Sequence, residues 1–185
     1  MKHPARPRIA WALSGSGHYL KECLELIHAL DEVDLFLSEA AAEVVRMYGI
    51  DLSKLPPGVK VHRDATASSV PVMFLYEGHY HTLVIAPATS NTVAKCVVGI
   101  SDTLPTNFYA QAGKCRLPSI IYACDTAPAL ISDAPGKQVW VYPRPIDLEN
   151  VDKLATFRDT KVVLSMEALR AALDERLQCL STSSS

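Results

Sequence analysis

This sequence predicts a three-layer α/β/α domain built on a mostly parallel sheet, and two observations carry the prediction. Short apolar runs alternate with segments whose apolar residues recur at helical spacing. In addition, each of the first four main apolar runs ends in a polar turn. In a parallel sheet such turns gather along one edge, where open α/β folds bind ligands.

Ile9–Leu13 reads as the first buried strand, and Ser14-Gly15-Ser16-Gly17 follows it. A helical pattern then places Leu20, Cys23, Leu24, Ile27 and Leu30 on one face. Strand, glycine-serine loop and helix is the layout of a phosphate cradle, and equally of a plain tight βα turn. The spacing is neither GxGxxG nor a Walker A loop. Val33–Leu37 reads as a second strand, with Ser38 as N-cap or ligand donor before a helix at Glu39–Tyr48. Gly49 stops that helix. Asp51–Ser69 reads as loop with one short strand at Val59–His62. Val70–Tyr76 is apolar but without regular period.

The stretch Leu83–Pro105 is the centre of the pattern. Thr82–Ala86 reads as a strand, then come Pro87, Ala88, Thr89, Ser90, Asn91 and Thr92, then a helix bearing Val93, Ala94, Val97 and Val98. Thr103–Lys114 reads as a further helix containing Pro105, and Leu117–Ala123 as a strong strand leading into Cys124-Asp125-Thr126-Ala127-Pro128. Val139–Tyr142 and Lys161–Leu164 read as short strands, with Pro143-Arg144-Pro145 as a rigid loop between them. Ser165 caps a last helix from Met166 to about Leu180. Residues 1–180 are therefore expected to form one domain, with Ser181–Ser185 as a disordered tail.

The 185 residues are 49% hydrophobic and 21% charged, an ordinary soluble composition with room for a sizeable core. A net charge of −2 gives no reason to expect nucleic acid, and no apolar run is long enough to span a bilayer. Met1–Arg8 is basic, but Ile9–Leu13 is too short for a signal-peptide core, so a cytoplasmic protein is expected. The five cysteines are scattered without a CxxC, which points to no disulfide framework and no cluster. Cys124 stands just past a strand, either as a ligand-facing thiol or as an inert one. His79 and His81 lack further ligands at a metal-binding spacing, so no metal is expected.

Pro87-Ala88-Thr89-Ser90-Asn91-Thr92 with Lys95, followed by Gly99, Asp102 and Leu104, resembles the flavin-binding signature of the homo-oligomeric flavin-containing cysteine decarboxylase family. Ser90 stands where that family usually has alanine, and Thr103 where it usually has asparagine. The resemblance covers roughly residues 8–130. It implies a flavodoxin/Rossmann-like fold, FMN as cofactor, and homo-oligomers built from trimers with the flavin at a subunit interface. The family's decarboxylases carry an active-site histidine fourteen residues before the signature proline, where this chain has Met73. Their later substrate motif is replaced by the segment at Cys124–Pro128. Methionine cannot exchange a proton, so decarboxylation is not expected.

The longer strings around Tyr76–Lys95 and Ile100–Asn107 resemble the redox branch of this family, which includes archaeal-type flavoproteins and dihydromethanopterin reductases. The resemblance implies FMN-dependent reduction of dihydromethanopterin to tetrahydromethanopterin, with electrons from a separate donor. Its cofactor-binding residues would be Ser14, Gly15, Ser16, Ser38, Pro87, Ala88, Thr89, Asn91, Thr92, Ser101 and Asp102. Asn91 would also meet the reacting ring or the substrate, and Tyr122 and Asp125 are candidates for pterin contacts from their own position at the strand end on the site edge. Lys95, one helical turn beyond Asn91, faces either that site or solvent. The alternatives are an electron-carrier flavoprotein without a small-molecule substrate and, with a weaker match, a flavin prenyltransferase or decarboxylase.

Overall fold

The computed structural model describes residues 7–30, 32–64 and 69–183. Most of the basic stretch Met1–Arg8 lies outside them. The elements run β1 (Arg8–Leu13), α1 (Leu20–His28), β2 (Val33–Leu37), α2 (Glu39–Met47), a 3-10 turn (Leu52–Lys54), β3 (Lys60–Arg63) and α3 (Ser69–Tyr76). Then come β4 (Tyr80–Ala88), α4 (Ser90–Val98), α5 (Leu104–Cys115) and β5 (Ser119–Ala123). The chain closes with β6 (Leu130–Ala134), β7 (Lys137–Val141), α6 (Pro145–Ala155), β8 (Thr160–Val163) and α7 (Met166–Ser183).

Six strands form one parallel sheet in the order β3-β2-β1-β4-β5-β8. The expected three-layer architecture follows from how each strand alternates. On β1, Ile9, Trp11 and Leu13 join one buried cluster with Leu20, Ile27, Val45 and Leu173 from the helices on that face. Ala10 and Ala12 face the other cluster, with Phe36, Leu104, Phe108 and Leu154. The small alanines leave room for the Phe36–Phe108 ring pair, centroids 4.2 Å apart. The order reverses between β1 and β4, so the loops after these two strands flank the switch point of the sheet.

The structure differs from the sequence expectation in four places. Ser69–Tyr76 is a helix, α3, because its residues are apolar on nearly every side and leave no period to read. Pro143-Arg144-Pro145 is not loop throughout, since Pro145 opens α6 and the Asp147 carboxylate accepts from the Arg144 backbone N–H at 2.8 Å. Leu130–Ala134 pairs with β7 in a separate antiparallel hairpin, turned at Pro135-Gly136 with Gly136 at φ 74°. Finally, α7 continues through Ser181–Ser183, where a disordered tail was expected; Ser184 and Ser185 lie outside the described residues.

The two histidines near β4 have structural surroundings. His79 lies 3.5 Å from the Glu77 carboxylate. The His81 ring bonds Thr82 Oγ1 at 2.8 Å, and Arg176 of α7 donates to Thr82 Oγ1 and to the His81 carbonyl, both at 3.0 Å. Burial first, and then the Arg176 charge, push the His81 pKa down to about 4. A group depressed in this way leaves stability intact above its unfolded value near 6.5. That stability is lost as pH falls from 6.5 towards 4. Because His81 is partly open to solvent, the loss is reduced by screening to roughly 1–2 kcal/mol. Denaturant titrations from pH 8 to pH 4 are expected to show this decline, and His81→Gln to flatten it. An unchanged profile in the variant would assign the acid sensitivity elsewhere.

Candidate functional site

The cleft at the switch point is assembled by Ser14. Its side chain is buried at the end of β1, donates to the Pro87 carbonyl at 2.9 Å, and accepts the Thr89 backbone N–H at 2.9 Å. One hydroxyl thus clamps the loop after β1 to the turn after β4. The Ala86–Pro87 peptide is cis, and Pro87 and Ala88 are buried in the end of β4. Thr89 is the N-cap of α4, accepting from Thr92 N at 3.2 Å and donating to Thr92 Oγ1 at 3.1 Å.

On the other side, Gly15 lies against the first turn of α2. A Cβ at Gly15 would stand 2.6 Å from Ala40 Cβ. Ser38 caps α2, accepting from Ala41 N at 3.0 Å, and its own N–H bonds the Leu13 carbonyl at 3.1 Å. Gly17 lies under Tyr48, where a Cβ would come within 2.1 Å of the phenol oxygen. That phenol donates to the Asp133 carbonyl at 3.0 Å, while Asp133 N–H reaches His18 Nδ1 at 3.4 Å. The β6–β7 hairpin is therefore fastened over the first loop. Sequence reasoning missed His18, Tyr48 and Asp133, because only the fold brings the hairpin there. Burial lowers the His18 pKa, which favours the neutral ring that can accept that N–H.

Several predicted ligand hydroxyls are thus engaged within the protein. Ser14, Ser38 and Thr89 shape the loops, and Thr92 is buried behind its cap. Ser16 donates to the His18 carbonyl at 3.3 Å and accepts from Cys124 Sγ at 3.3 Å. Burial pushes the Cys124 thiol up to about 12, so it is a neutral donor and not a reactive thiolate. What the arrangement offers a ligand is backbone: the first-turn N–H groups of α2 and α4, brought to one edge by the sheet.

Asn91 is exposed in the first turn of α4, next to Ser90. Ser90 donates a short hydrogen bond to the Asp125 carboxylate, which brings the turn after β5 onto the start of α4. Tyr122 is not in the cleft. It belongs to β5, is 1% exposed, and its ring packs 4.9 Å from Tyr19 in the α1 face of the core. Ser101 and Asp102 are exposed beyond α4, and Lys95 binds both Asp102 carboxylate oxygens at 2.9 Å, so the lysine serves this pair. Thr103, in the usual asparagine position, caps α5. Leu104 N–H, at the start of α5, is held by Asp64 at 2.7 Å.

FMN fits this residue set on two grounds. The lack of a side chain at Gly15 lets the loop after β1 pack directly on the first turn of α2, and two capped helix N-termini face the switch point. Among the described residues no group of acidic, histidine and cysteine side chains could hold a metal ion, and no helix is long and apolar enough to cross a membrane.

Known proteins share this fold. The crystal structure of Burkholderia xenovorans DmrB in complex with FMN, described as a cubic protein cage for redox transfer, is similar with a TM-score of 0.88. It is 52% identical over 96% of this chain and 98% of that one. A dihydromethanopterin reductase (acceptor) from Methanosarcina mazei is 36% identical over 69% of this chain and 59% of its own length. One from Methanocaldococcus jannaschii is 36% identical over 68% and 56%. The chain thus spans less than two thirds of either archaeal reductase. A family model described as Flavoprotein matches residues 2–182, nearly the whole chain, and the chain belongs to that family.

Proposed function

We propose that this chain is an FMN-dependent oxidoreductase that reduces dihydromethanopterin to tetrahydromethanopterin. Similarity to DmrB and to the two archaeal reductases supports the flavin and the redox class. The observation that carries reduction over decarboxylation is Met73, a thioether on α3 that is 54% exposed and cannot take or give a proton.

In this reading the backbone of Gly15, Ser16 and the first turn of α2 behind Ser38 holds the flavin phosphate. Pro87, Ala88, Thr89 and Thr92 form the wall, and Asn91 presents its amide to the ring edge. Ser101 and Asp102, exposed in one chain, serve the flavin of a neighbouring copy in a homo-oligomer built from trimers. When bound there, FMN would supply hydride chemistry for the pterin C=N bond, with the proton for nitrogen coming from solvent. The sequence carries no cysteine cluster of its own, so a separate donor re-reduces the flavin.

The test is anaerobic. Photoreduced, FMN-loaded protein is mixed with dihydromethanopterin and the flavin absorbance followed. Stoichiometric return of the oxidised spectrum with formation of tetrahydromethanopterin is expected. Flavin that stays reduced would leave the electron-carrier reading in its place.

A further inference from the structure

The geometry points to Asp125 as the group that reads the 2-amino-4-oxo edge of the pterin, and to Ser90 as the positioning residue that holds its carboxylate. The inference rests on the pterin-reductase reading above and assigns a specificity contact within it.

Three observations carry it. First, Asp125 is placed by backbone. Cys124 N–H bonds the Ala88 carbonyl at 3.0 Å, so the chain entering Asp125 continues the β4–β5 pairing to the edge of the cleft. Second, the carboxylate is half-buried and held at one oxygen, Oδ2, by the Ser90 hydroxyl. Ser90 is the first residue of α4, and the preceding Thr89 N–H is itself held by Ser14. A continuous set of bonds therefore runs from the loop after β1, through the start of α4, to the turn after β5. Third, an ionised carboxylate accepts about four hydrogen bonds, so the Ser90 bond leaves capacity for more. Its charge also suits the N-terminus of α4.

The chemistry of the substrate matches that capacity. A pterin presents N3–H and the 2-amino N–H side by side, two parallel donors that a planar carboxylate accepts as a pair. Replacing the 2-amino group by a carbonyl, as in a lumazine, sets an acceptor against the carboxylate. Charge-assisted bonds of this kind make the difference about tenfold or more in affinity. Asp125 would then select pterins through their pyrimidine edge, without taking part in hydride transfer.

The test titrates oxidised, FMN-loaded protein with 6-methyl-7,8-dihydropterin and with 6-methyl-7,8-dihydrolumazine, reading ligand binding directly by calorimetry. The wild type is expected to prefer the pterin by about tenfold or more. Asp125→Asn should bring the two ligands to within about threefold, and Ser90→Ala should fall between, with FMN affinity unchanged in both. In turnover the pterin KM should rise while kcat holds. Full discrimination retained in Asp125→Asn would overturn the assignment. So would loss of FMN from either variant, which would make the pair a support of the flavin loop. If the wild type keeps FMN but binds neither ligand, the pterin reading itself fails, and this inference with it.

Discussion

Replacing Gly15 by alanine is expected to yield a protein that purifies without flavin and melts several degrees below the wild type. The added methyl would stand 2.6 Å from Ala40 Cβ and 3.3 Å from the Ala40 carbonyl carbon, so it meets the first turn of α2 and not a flexible side-chain end. Relief requires the loop after β1 and the α2 N-terminus to move apart. Overpacking of this kind costs about 1–3 kcal/mol, and each kcal/mol lowers Tm by about 2–4 °C at this chain length. The same displacement parts the backbone groups assigned to the flavin phosphate, so FMN affinity should fall by at least about tenfold, roughly 1.4 kcal/mol. Gly113, inside α5, is the control, because a Cβ there meets nothing within 4 Å. Gly113→Ala should leave flavin content unchanged and raise stability by up to about 1 kcal/mol. Flavin-loaded Gly15→Ala with a wild-type Tm would show that the loop tolerates the separation, and the cradle would lie elsewhere.

The readability of this chain divides along physical lines. The strands β1, β2, β4 and β5 could be read because parallel strands buried on both faces are continuous apolar runs, and the turns after them are polar. The helix α3 could not, because a segment apolar on all sides carries no helical period. Pro143-Arg144-Pro145 looked like a loop because proline breaks a helix interior, although Pro145 is the first residue of α6, where it is tolerated. The β6 strand of the hairpin could not be read either, because the two short strands show only weak alternation.

The site followed the same division. The signature at Pro87–Lys95 marked a loop that the fold sets at the switch point, but not the work of each side chain. The place of Tyr122 near the end of its strand suggests a pterin contact; the alternation along β5 puts it on the same face as Ile120, within the core. Ser90 stood out only as a serine in an alanine position, and Asp125 only as an acid after a strand. Their hydrogen bond joins residues 35 apart in sequence, and no local pattern encodes such a contact.

Ser14→Ala is the complementary expectation, since it removes a bond and adds no bulk. Ser14 Oγ bonds both the Pro87 carbonyl and the Thr89 N–H, and its side chain is buried. Alanine fits the space, so no clash arises. The Thr89 N–H loses its side-chain acceptor, and the Pro87 carbonyl loses the Ser14 hydroxyl while keeping the longer 3.4 Å contact from the Ser14 N–H. Leaving a buried polar group unsatisfied costs about 1–3 kcal/mol, and here two groups are affected. A loss of about 2–4 kcal/mol in urea unfolding is therefore expected, with m unchanged. Because Thr89 caps α4, its release should also loosen Ser90 and Asn91, and amide exchange in the first turn of α4 should accelerate while that of α1 does not. Ser14→Thr, which keeps the hydroxyl, should restore most of the protection if the bonds matter more than the volume. If Ser14→Ala loses stability evenly across the sheet and leaves the α4 turn as protected as before, Ser14 is a core residue, and the clamp between the β1 and β4 loops is not what aligns the cleft.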